Sequence, residues 1–151
     1  MKNLILLLLI ACNLCAFSEP KEVPHKTYKI IVKNNLSADE NFTLTGRTLI
    51  DNDYTIAIKD KDFYTIKTAK RELYKSRMGS YFLNFSIKDH SISVTGECFA
   101  DLTLNFGGVR TENSSFKICY KGMNGSLEKD AFIRMADFAK KMGTEFECVT
   151  E

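Results

Sequence analysis

The sequence predicts a mainly β protein, an antiparallel up-and-down β-barrel of eight strands with one C-terminal α-helix packed on it. Short runs in which apolar and polar residues alternate extend over residues 27–120, and turn residues separate them. A later segment has the period of a helix. Open strands leave edges that invite aggregation, so closure is favoured. The alternative is a β-sandwich, or an α+β fold with the helix on an open antiparallel sheet.

Residues 1–18 predict a secretory signal peptide. Lys2 precedes an apolar run over residues 4–11, which is much shorter than the roughly 20 residues that cross a bilayer. Small residues just before Glu19 complete a cleavage pattern, so we expect a secreted, extracellular protein. The alternative is a bacterial lipobox at Cys12, which would give a lipid-anchored protein at a bacterial envelope.

The rest of the chain predicts one domain. Residues 19–26 hold both prolines and predict a flexible leader, and residues 27–151 suffice for a single core. No later apolar segment reaches transmembrane length, so we expect no integral membrane segment after signal cleavage. The formal net charge of +2 is nearly balanced and does not indicate a nucleic-acid partner.

Turn residues mark the limits of the predicted strands. Asn34 and Asn35 end the first one, and aspartate-rich turns separate those that follow. The polar, basic stretch over residues 68–80 is typical of a short helix or a long loop. The eight predicted strands are 28–32, 42–45 (bent at Gly46 and extending toward Leu49), 54–58, 63–66, 81–87, 92–96, 98–106 and 116–120.

The last segment changes from the strand period to the helix period. Ser126 is a favoured N-cap residue, and apolar side chains at positions 127, 131, 135, 138 and 142 share one helical face. Gly143 is a favoured residue just after a helix end. The sequence therefore predicts a helix over about residues 127–142 and a short strand over residues 146–149.

From Cys98 to Cys148 the sequence resembles the lipocalin family. It has the alternating strand FADLTLNF, a glycine turn, a strand FKICY that ends in tyrosine, the segment SLEKDAFIRMADFAKKMG and a tail with a cysteine. In lipocalins this order gives the last two barrel strands, a helix on the barrel wall and a final cysteine in a disulfide. The chain departs from the family because it has no tryptophan for the G-x-W motif of the first strand.

Three cysteines follow the predicted signal peptide, namely Cys98, Cys119 and Cys148. In an oxidising compartment we expect two of them to pair, and the sequence leaves the choice among the three pairings open. The lipocalin resemblance implies that Cys98 or Cys119 pairs with Cys148.

Five N-x-S/T sequons predict N-glycosylation and therefore a surface position for their asparagines. The alternative explanation is an AT-rich genome, which uses Asn, Lys, Ser and Thr freely. The five candidates are Asn35, Asn41, Asn84, Asn113 and Asn124.

The sequence contains no pattern typical of catalysis or metal binding. Its two histidines, His25 and His90, are far apart, and the aspartates at residues 51–53 and 60–62 lack the ligand spacing of an EF-hand. No nucleophile motif or cofactor motif is present. We therefore expect neither an enzyme nor a cofactor or metal.

The leading functional hypothesis is an extracellular binding protein that carries a small hydrophobic molecule in a barrel cavity. Burial of ligand surface in a preformed apolar cavity would drive binding. If the interior holds no cavity, each candidate lining residue would instead be a packed residue of the hydrophobic core. The candidates are Tyr54, Ile56, Phe85, Leu104, Phe106 and Tyr120.

The alternative is a secreted or lipid-anchored protein-interaction domain with a solid core. It would act through a basic surface segment over residues 67–77, in which Glu72 is the one acidic residue. The cations of this segment are Lys67, Lys70, Arg71, Lys75 and Arg77.

Overall fold

The computed structural model describes residues 22–73, 79–100, 105–106, 109–110 and 114–151. The predicted signal peptide and four of the candidate site residues (Lys75, Arg77, Leu104 and Asn113) lie outside these ranges. Residues 22–26 of the predicted leader contain no helix or strand. The helices and strands are β1 (Thr27–Lys33), α1 (Ala38–Asp51), β2 (Ile56–Asp60), β3 (Thr65–Thr68), β4 (Arg71–Glu72), β5 (Gly79–Lys88), β6 (Ser91–Ala100), β7 (Asn105–Phe106), β8 (Val109–Arg110), β9 (Ser115–Lys117), α2 (Leu127–Ala139) and β10 (Glu145–Thr150).

The main sheet is antiparallel and open. Its strands lie in the order β10-β1-β6-β5-β3-β2, with β4 also paired to β5 and β9 also paired to β6. The prediction of a closed barrel is wrong for these strands, because β2 and β10 form opposite edges. Charged residues protect both edges: Lys59 and Asp60 lie on β2, and Glu145 and Glu147 lie on β10. The alternative prediction of helices on an open antiparallel sheet fits the structure.

Residues 42–45 belong to helix α1, so the strand predicted there is wrong. The Ser37 hydroxyl accepts a hydrogen bond from the Glu40 backbone N–H, and the Glu40 carboxylate accepts one from the Ser37 N–H at 2.9 Å. This reciprocal capping box starts the helix. Its buried side chains include Phe42, Thr45 and Leu49, whose spacing follows one helical face.

One face of the sheet packs against both helices and forms a continuous core, and we call it the inner face. Strand pairing aligns Ile66, Phe85, Val94 and Ile30 across four neighbouring strands of this face. The ring of Phe138 on α2 lies edge-on to Phe85 at 5.5 Å between centroids. Side chains of the sheet and the helices therefore fill the space between them.

The other face of the sheet carries small polar side chains along the middle of β5 and β6, and we call it the outer face. Asn84 pairs with Thr95, and Ser86 pairs with Ser93, on neighbouring positions of β5 and β6. Side chains alternate between faces along a strand, so this face receives the residues between the buried apolar ones. The alternation that predicted β5 and β6 is therefore confirmed, and α2 and β10 are confirmed with slightly different bounds.

Candidate functional site

A cleft of about 210 Å³ opens between the second half of α2, the loop after α1 and the β4–β5 end of the sheet. We call it the Tyr81 cleft. Most of its lining is polar or charged, in contrast to the core beneath it. The lining residues are Asn52, Tyr54, Arg71, Glu72, Tyr81, Arg134, Asp137, Phe138 and Lys141.

Two tyrosine hydroxyls meet in this cleft. Tyr81 lies on the inner face of β5 and is 2% exposed, whereas Tyr54 is half-buried and packs edge-on against Phe138 at 5.1 Å. Their hydroxyl oxygens are 2.9 Å apart. Burial, and then the bond to Tyr54, raises the pKa of Tyr81 well above its ordinary value. Tyr81 therefore keeps its proton at physiological pH.

Arg71 enters the cleft because strand pairing places it beside Tyr81. The register of β4 and β5 sets Arg71 opposite Tyr81. The guanidinium carbon lies 4.4 Å from the centre of the Tyr54 ring, and Nη1 donates to the backbone oxygen of Asn52 at 2.9 Å. A cation over an aromatic ring gains about 0.5–2 kcal/mol. These contacts fix the guanidinium and use one of its five N–H donors.

Asn52, the C-cap residue of α1, holds two cations at the cleft. Its backbone oxygen accepts from Arg71, and its side-chain oxygen accepts from the ammonium group of Lys141. Its amide nitrogen donates to the backbone oxygen of Thr48 at 2.8 Å, which fixes the orientation of the side chain. The end of α1 therefore positions charges that come from β4 and from the segment after α2.

Helix α2 contributes a polar stripe beside its apolar one. Arg134 and Asp137 on α2, and Lys141 just after its end, are spaced for one side of the helix. Asp137 also pairs with Lys140 at 3.4 Å, and no ion pair within the described part of the chain includes Arg134. Together with Arg71 and Glu72, the lining has three cationic side chains and two carboxylates. The cleft therefore has an excess of one positive charge.

Of the residues predicted to line a barrel cavity, the four whose side chains the structure describes are not gathered around one space. Phe85 is 1% exposed and belongs to the core, and Ile56 is half-buried at its edge. Tyr54 lines the Tyr81 cleft, whereas Tyr120 packs on Phe132, nearer the start of α2, at 5.3 Å. Leu104 lies outside the described residues, and Phe106 lies in β7.

The structure divides the three described cations of the predicted basic segment between the two faces of the sheet. On the outer face, the ammonium group of Lys67 lies 4.0 Å from the Phe82 ring centre, and that of Lys70 lies 3.8 Å from the Phe99 ring centre. The two rings are 5.7 Å apart. We call these four residues the lysine–phenylalanine patch. Arg71 instead enters the Tyr81 cleft.

The positions of the cysteines do not allow the pairing of Cys98 with Cys148. Ile30 on β1 pairs with Val94 on β6 and with Cys148 on β10. The two cysteines therefore lie on the two strands that flank β1, and Cys98 lies four residues beyond Val94 along β6. This separation is about 13 Å along the strands and about 10 Å across them, whereas a disulfide joins Cα atoms within about 7 Å. Cys98 and Cys119 are both buried free thiols.

The predicted surface position of the sequon asparagines is wrong for Asn41. Its side chain is buried, and its amide nitrogen donates to the backbone oxygen of Lys88 at 3.1 Å, so it has no room for a glycan. Asn35 and Asn124 are exposed, and Asn84 is half-buried on the outer face. The glycosylation of these three sites stays a prediction.

Sequence reasoning did not identify Asn52, Tyr81, Arg134, Asp137 and Lys141 as site residues. The polar residues of α2 recur at helical spacing in the sequence, but the neighbouring sequence did not indicate which residues of other elements would lie opposite them.

The sequence matches no protein-family model and no curated protein. Within the described ranges, no group of three or more His, Cys, Asp or Glu residues could hold a metal ion, and no helix is long and apolar enough to cross a membrane.

Proposed function

We propose that this protein is an extracellular protein-interaction domain with a solid core, which binds an acidic partner through its surface cations. The observation that carries this proposal is the placement of the 67–71 cations at the surface of a filled core. The first 18 residues, with their secretory pattern, support the extracellular location.

The packing of the core favours this function over a carrier of apolar molecules. A carrier needs a preformed, mainly apolar cavity, typically of about 300 Å³ or more. Phe85, Phe132 and Phe138 are each at most 2% exposed and lie where a ligand would have to sit between the sheet and the helices. The Tyr81 cleft is smaller, about 210 Å³, and largely polar. The larger groove along α1, about 430 Å³, is open to solvent and is lined in part by Asp39, Glu40 and Arg47, so it does not enclose an apolar ligand. The apolar interior is therefore better explained as structural core.

The lysine–phenylalanine patch has the properties of a contact surface for acidic groups. Both ammonium groups lie over aromatic rings, so their positions are constrained before a partner arrives. A constrained side chain loses less conformational entropy on binding than a free one. No ion pair of the described residues includes Lys67 or Lys70, so their charge is not neutralised within that part of the chain.

An NMR titration with an acidic peptide tests this function. Blocked hexaglutamate should shift the amide signals of Lys67 and Lys70 at low salt, and blocked hexaglutamine should not. The double variant K67Q/K70Q should bind roughly two- to thirtyfold more weakly, because each of the two exposed ion pairs contributes about 0.2–1 kcal/mol. Increasing salt should weaken the binding further, since exposed charges are screened.

Lys88→Gln is the matched control, because Lys88 is exposed on the same face at the other end of β5. It should leave the affinity close to that of the wild type. An equal loss in K88Q and K67Q/K70Q would contradict a localised contact surface. An apolar molecule retained in native mass spectrometry would contradict the solid core and favour the carrier.

A further inference from the structure

We propose that the Tyr81 cleft binds a single carboxylate group, supplied by an acidic side chain or by the chain end of a protein partner. This inference rests on the proposed function, because it names the chemistry that one part of the surface recognises. It concerns a site distinct from the lysine–phenylalanine patch, which lies on the outer face of the sheet.

Hydrogen-bond donors converge in this cleft from three parts of the chain. Arg71 comes from β4, Arg134 from α2 and Tyr81 from β5. Both arginines line the same cleft as Tyr81, and their positive charges partly oppose the rise in its pKa. A carboxylate at this position would meet donors on more than one side.

The tyrosine pair supplies a further donor. In the bond between the two hydroxyls one oxygen donates and the other accepts, so one O–H hydrogen remains available. Because Tyr81 keeps its proton, its oxygen carries no negative charge that would repel a ligand carboxylate at neutral pH. The pair therefore offers one donor to an incoming acceptor.

Arg134 is the cation with the most donors available for a ligand. Arg71 and Lys141 are both engaged by Asn52, whereas no hydrogen bond or ion pair within the described ranges includes Arg134. A guanidinium group presents two parallel N–H donors that match the two oxygens of a carboxylate. Arg134 is thus placed to receive a carboxylate in this two-point geometry.

The charge and the size of the cleft favour a carboxylate over a phosphate. Its excess of one positive charge is neutralised by a monoanion, and Glu72 and Asp137 would repel the second charge of a phosphate dianion. A volume of about 210 Å³ accepts a short acidic group but not a larger ligand, since typical small-molecule sites have about 300–1,000 Å³. The rest of a partner would lie outside the cleft.

Small blocked compounds test the inference at constant ionic strength. N-acetylglutamate α-amide presents a side-chain carboxylate, and N-acetyl-diglycine presents a chain-end carboxylate. We expect at least one of them to shift the Arg134 side-chain and Tyr54 ring signals in a saturable manner, and the tighter one identifies the source. Neutral N-acetylglutamine α-amide should give no saturable shift, and inorganic phosphate should bind more weakly than the better carboxylate.

Two variants locate the binding. Arg134→Gln should weaken carboxylate binding roughly tenfold or more, because a hydrogen bond to a charged group contributes about 1.5–3 kcal/mol. Tyr54→Phe keeps the ring beneath Arg71 and removes its hydroxyl, and it should weaken binding to a smaller extent. Arg47→Gln, an exposed arginine on α1 outside this cleft, is the matched control and should bind as the wild type does.

The results separate this inference from the proposed function. Equal binding by R134Q and R47Q, tighter binding of phosphate, or no saturable carboxylate shift would each overturn the carboxylate site. Hexaglutamate binding at Lys67 and Lys70 would then leave the proposed function intact. Saturable carboxylate binding that R134Q weakens, without any hexaglutamate effect at the lysine–phenylalanine patch, would support the site and contradict the proposed contact surface.

Discussion

The hydroxyl oxygens of Tyr54 and Tyr81 lie 2.9 Å apart in the Tyr81 cleft. One tyrosine belongs to the loop after α1 and the other to the first part of β5. Their hydrogen bond therefore joins two segments that are distant in sequence, and it places two phenol groups beneath the cations of the cleft. Arg71, which lies over the Tyr54 ring and opposite Tyr81, connects the pair to β4.

The first prediction concerns alkaline stability and Tyr81. The folded pKa of Tyr81 is raised by burial and by the bond to Tyr54, whereas the unfolded side chain ionises near pH 10. The stabilisation that Tyr81 contributes is fully present below about pH 10. It is lost as the pH rises further, because the unfolded state then releases the Tyr81 proton before the folded state does. Urea unfolding should show a steeper loss of stability between about pH 9 and about pH 11 in the wild type than in Tyr81→Phe.

Tyr28→Phe is the control for this measurement, because it removes a tyrosine hydroxyl from a half-buried side chain outside the Tyr81 cleft. It should keep the wild-type pH dependence. If Y81F declined as steeply as the wild type, Tyr81 would not be the group that resists ionisation.

The second prediction concerns the start of α1. Ser37→Ala removes the side-chain acceptor of the capping box and should lower the free energy of unfolding by about 0.5–2 kcal/mol. Ser126→Ala is the comparison at the N-cap of α2, where the hydroxyl makes no capping bond and instead donates to the backbone oxygen of Lys121 at 3.2 Å. Urea unfolding should show the larger loss for S37A. The absence of a measurable loss in S37A would show that the capping box does not stabilise α1.

The strands could be predicted more reliably than α1 for a local reason. Along residues 83–88 of β5 and 91–97 of β6, the inward side chains are buried and the outward ones are polar, so the alternation in their sequence directly reports the strand. In α1, Phe42 and Leu44 also alternate with threonines, and this short run imitates a strand. The S-x-x-E pattern from Ser37 to Glu40 was the signal that identifies the helix start.

The cleft could not be predicted in the same way, because its residues come together only through long-range packing. Arg71 was identified as part of a basic segment, but its position beside Tyr81 depends on the pairing of β4 with β5. Arg134 depends in addition on how α2 packs against the sheet. The lysine–phenylalanine patch likewise required the register that brings Lys67 near Phe82.

The third prediction compares two glycines. An added Cβ at Gly96 would lie 2.4 Å from the backbone oxygen of Phe82, which cannot move without disturbing the sheet. Gly96→Ala should therefore destabilise the protein by about 1–3 kcal/mol or more. At Gly46 in α1 the nearest atom is the mobile end of Lys59 at 3.4 Å.

Gly46→Ala should consequently stabilise the protein by about 0.5–1 kcal/mol, because alanine loses less backbone entropy in a helix than glycine does. Thermal unfolding of the two variants measures both effects. A stabilising G96A or a strongly destabilising G46A would contradict the packing described around these positions.

The fourth prediction concerns acid stability and Asp39 on α1. Its carboxylate accepts hydrogen bonds from Lys61 at 2.9 Å and from the Tyr64 hydroxyl at 3.1 Å, and these bonds hold the pKa of Asp39 below its ordinary value. The stabilisation is present above the unfolded pKa, about 3.9, and is lost as the pH falls through the lower folded pKa.

Asp39→Asn should therefore lower the unfolding temperature at neutral pH, and its difference from the wild type should shrink as the pH falls below about 4. Asp62→Asn, in the exposed turn near Lys61, should change the unfolding temperature little at either pH. High salt should also reduce the effect of D39N, because the pair is exposed. A difference that persists unchanged in acid would contradict the assigned ionisation.

The fifth prediction concerns the thiols of Cys98 and Cys119. Burial is the main cause that raises the pKa of Cys98 to about 12, and burial also raises the pKa of Cys119. Because the thiolate is the reactive form, both cysteines should resist iodoacetamide near neutral pH in the folded protein. Both should be alkylated after unfolding without a reductant, as measured by peptide mass mapping. Failure of either to react in the unfolded chain would indicate a disulfide and contradict the two free thiols.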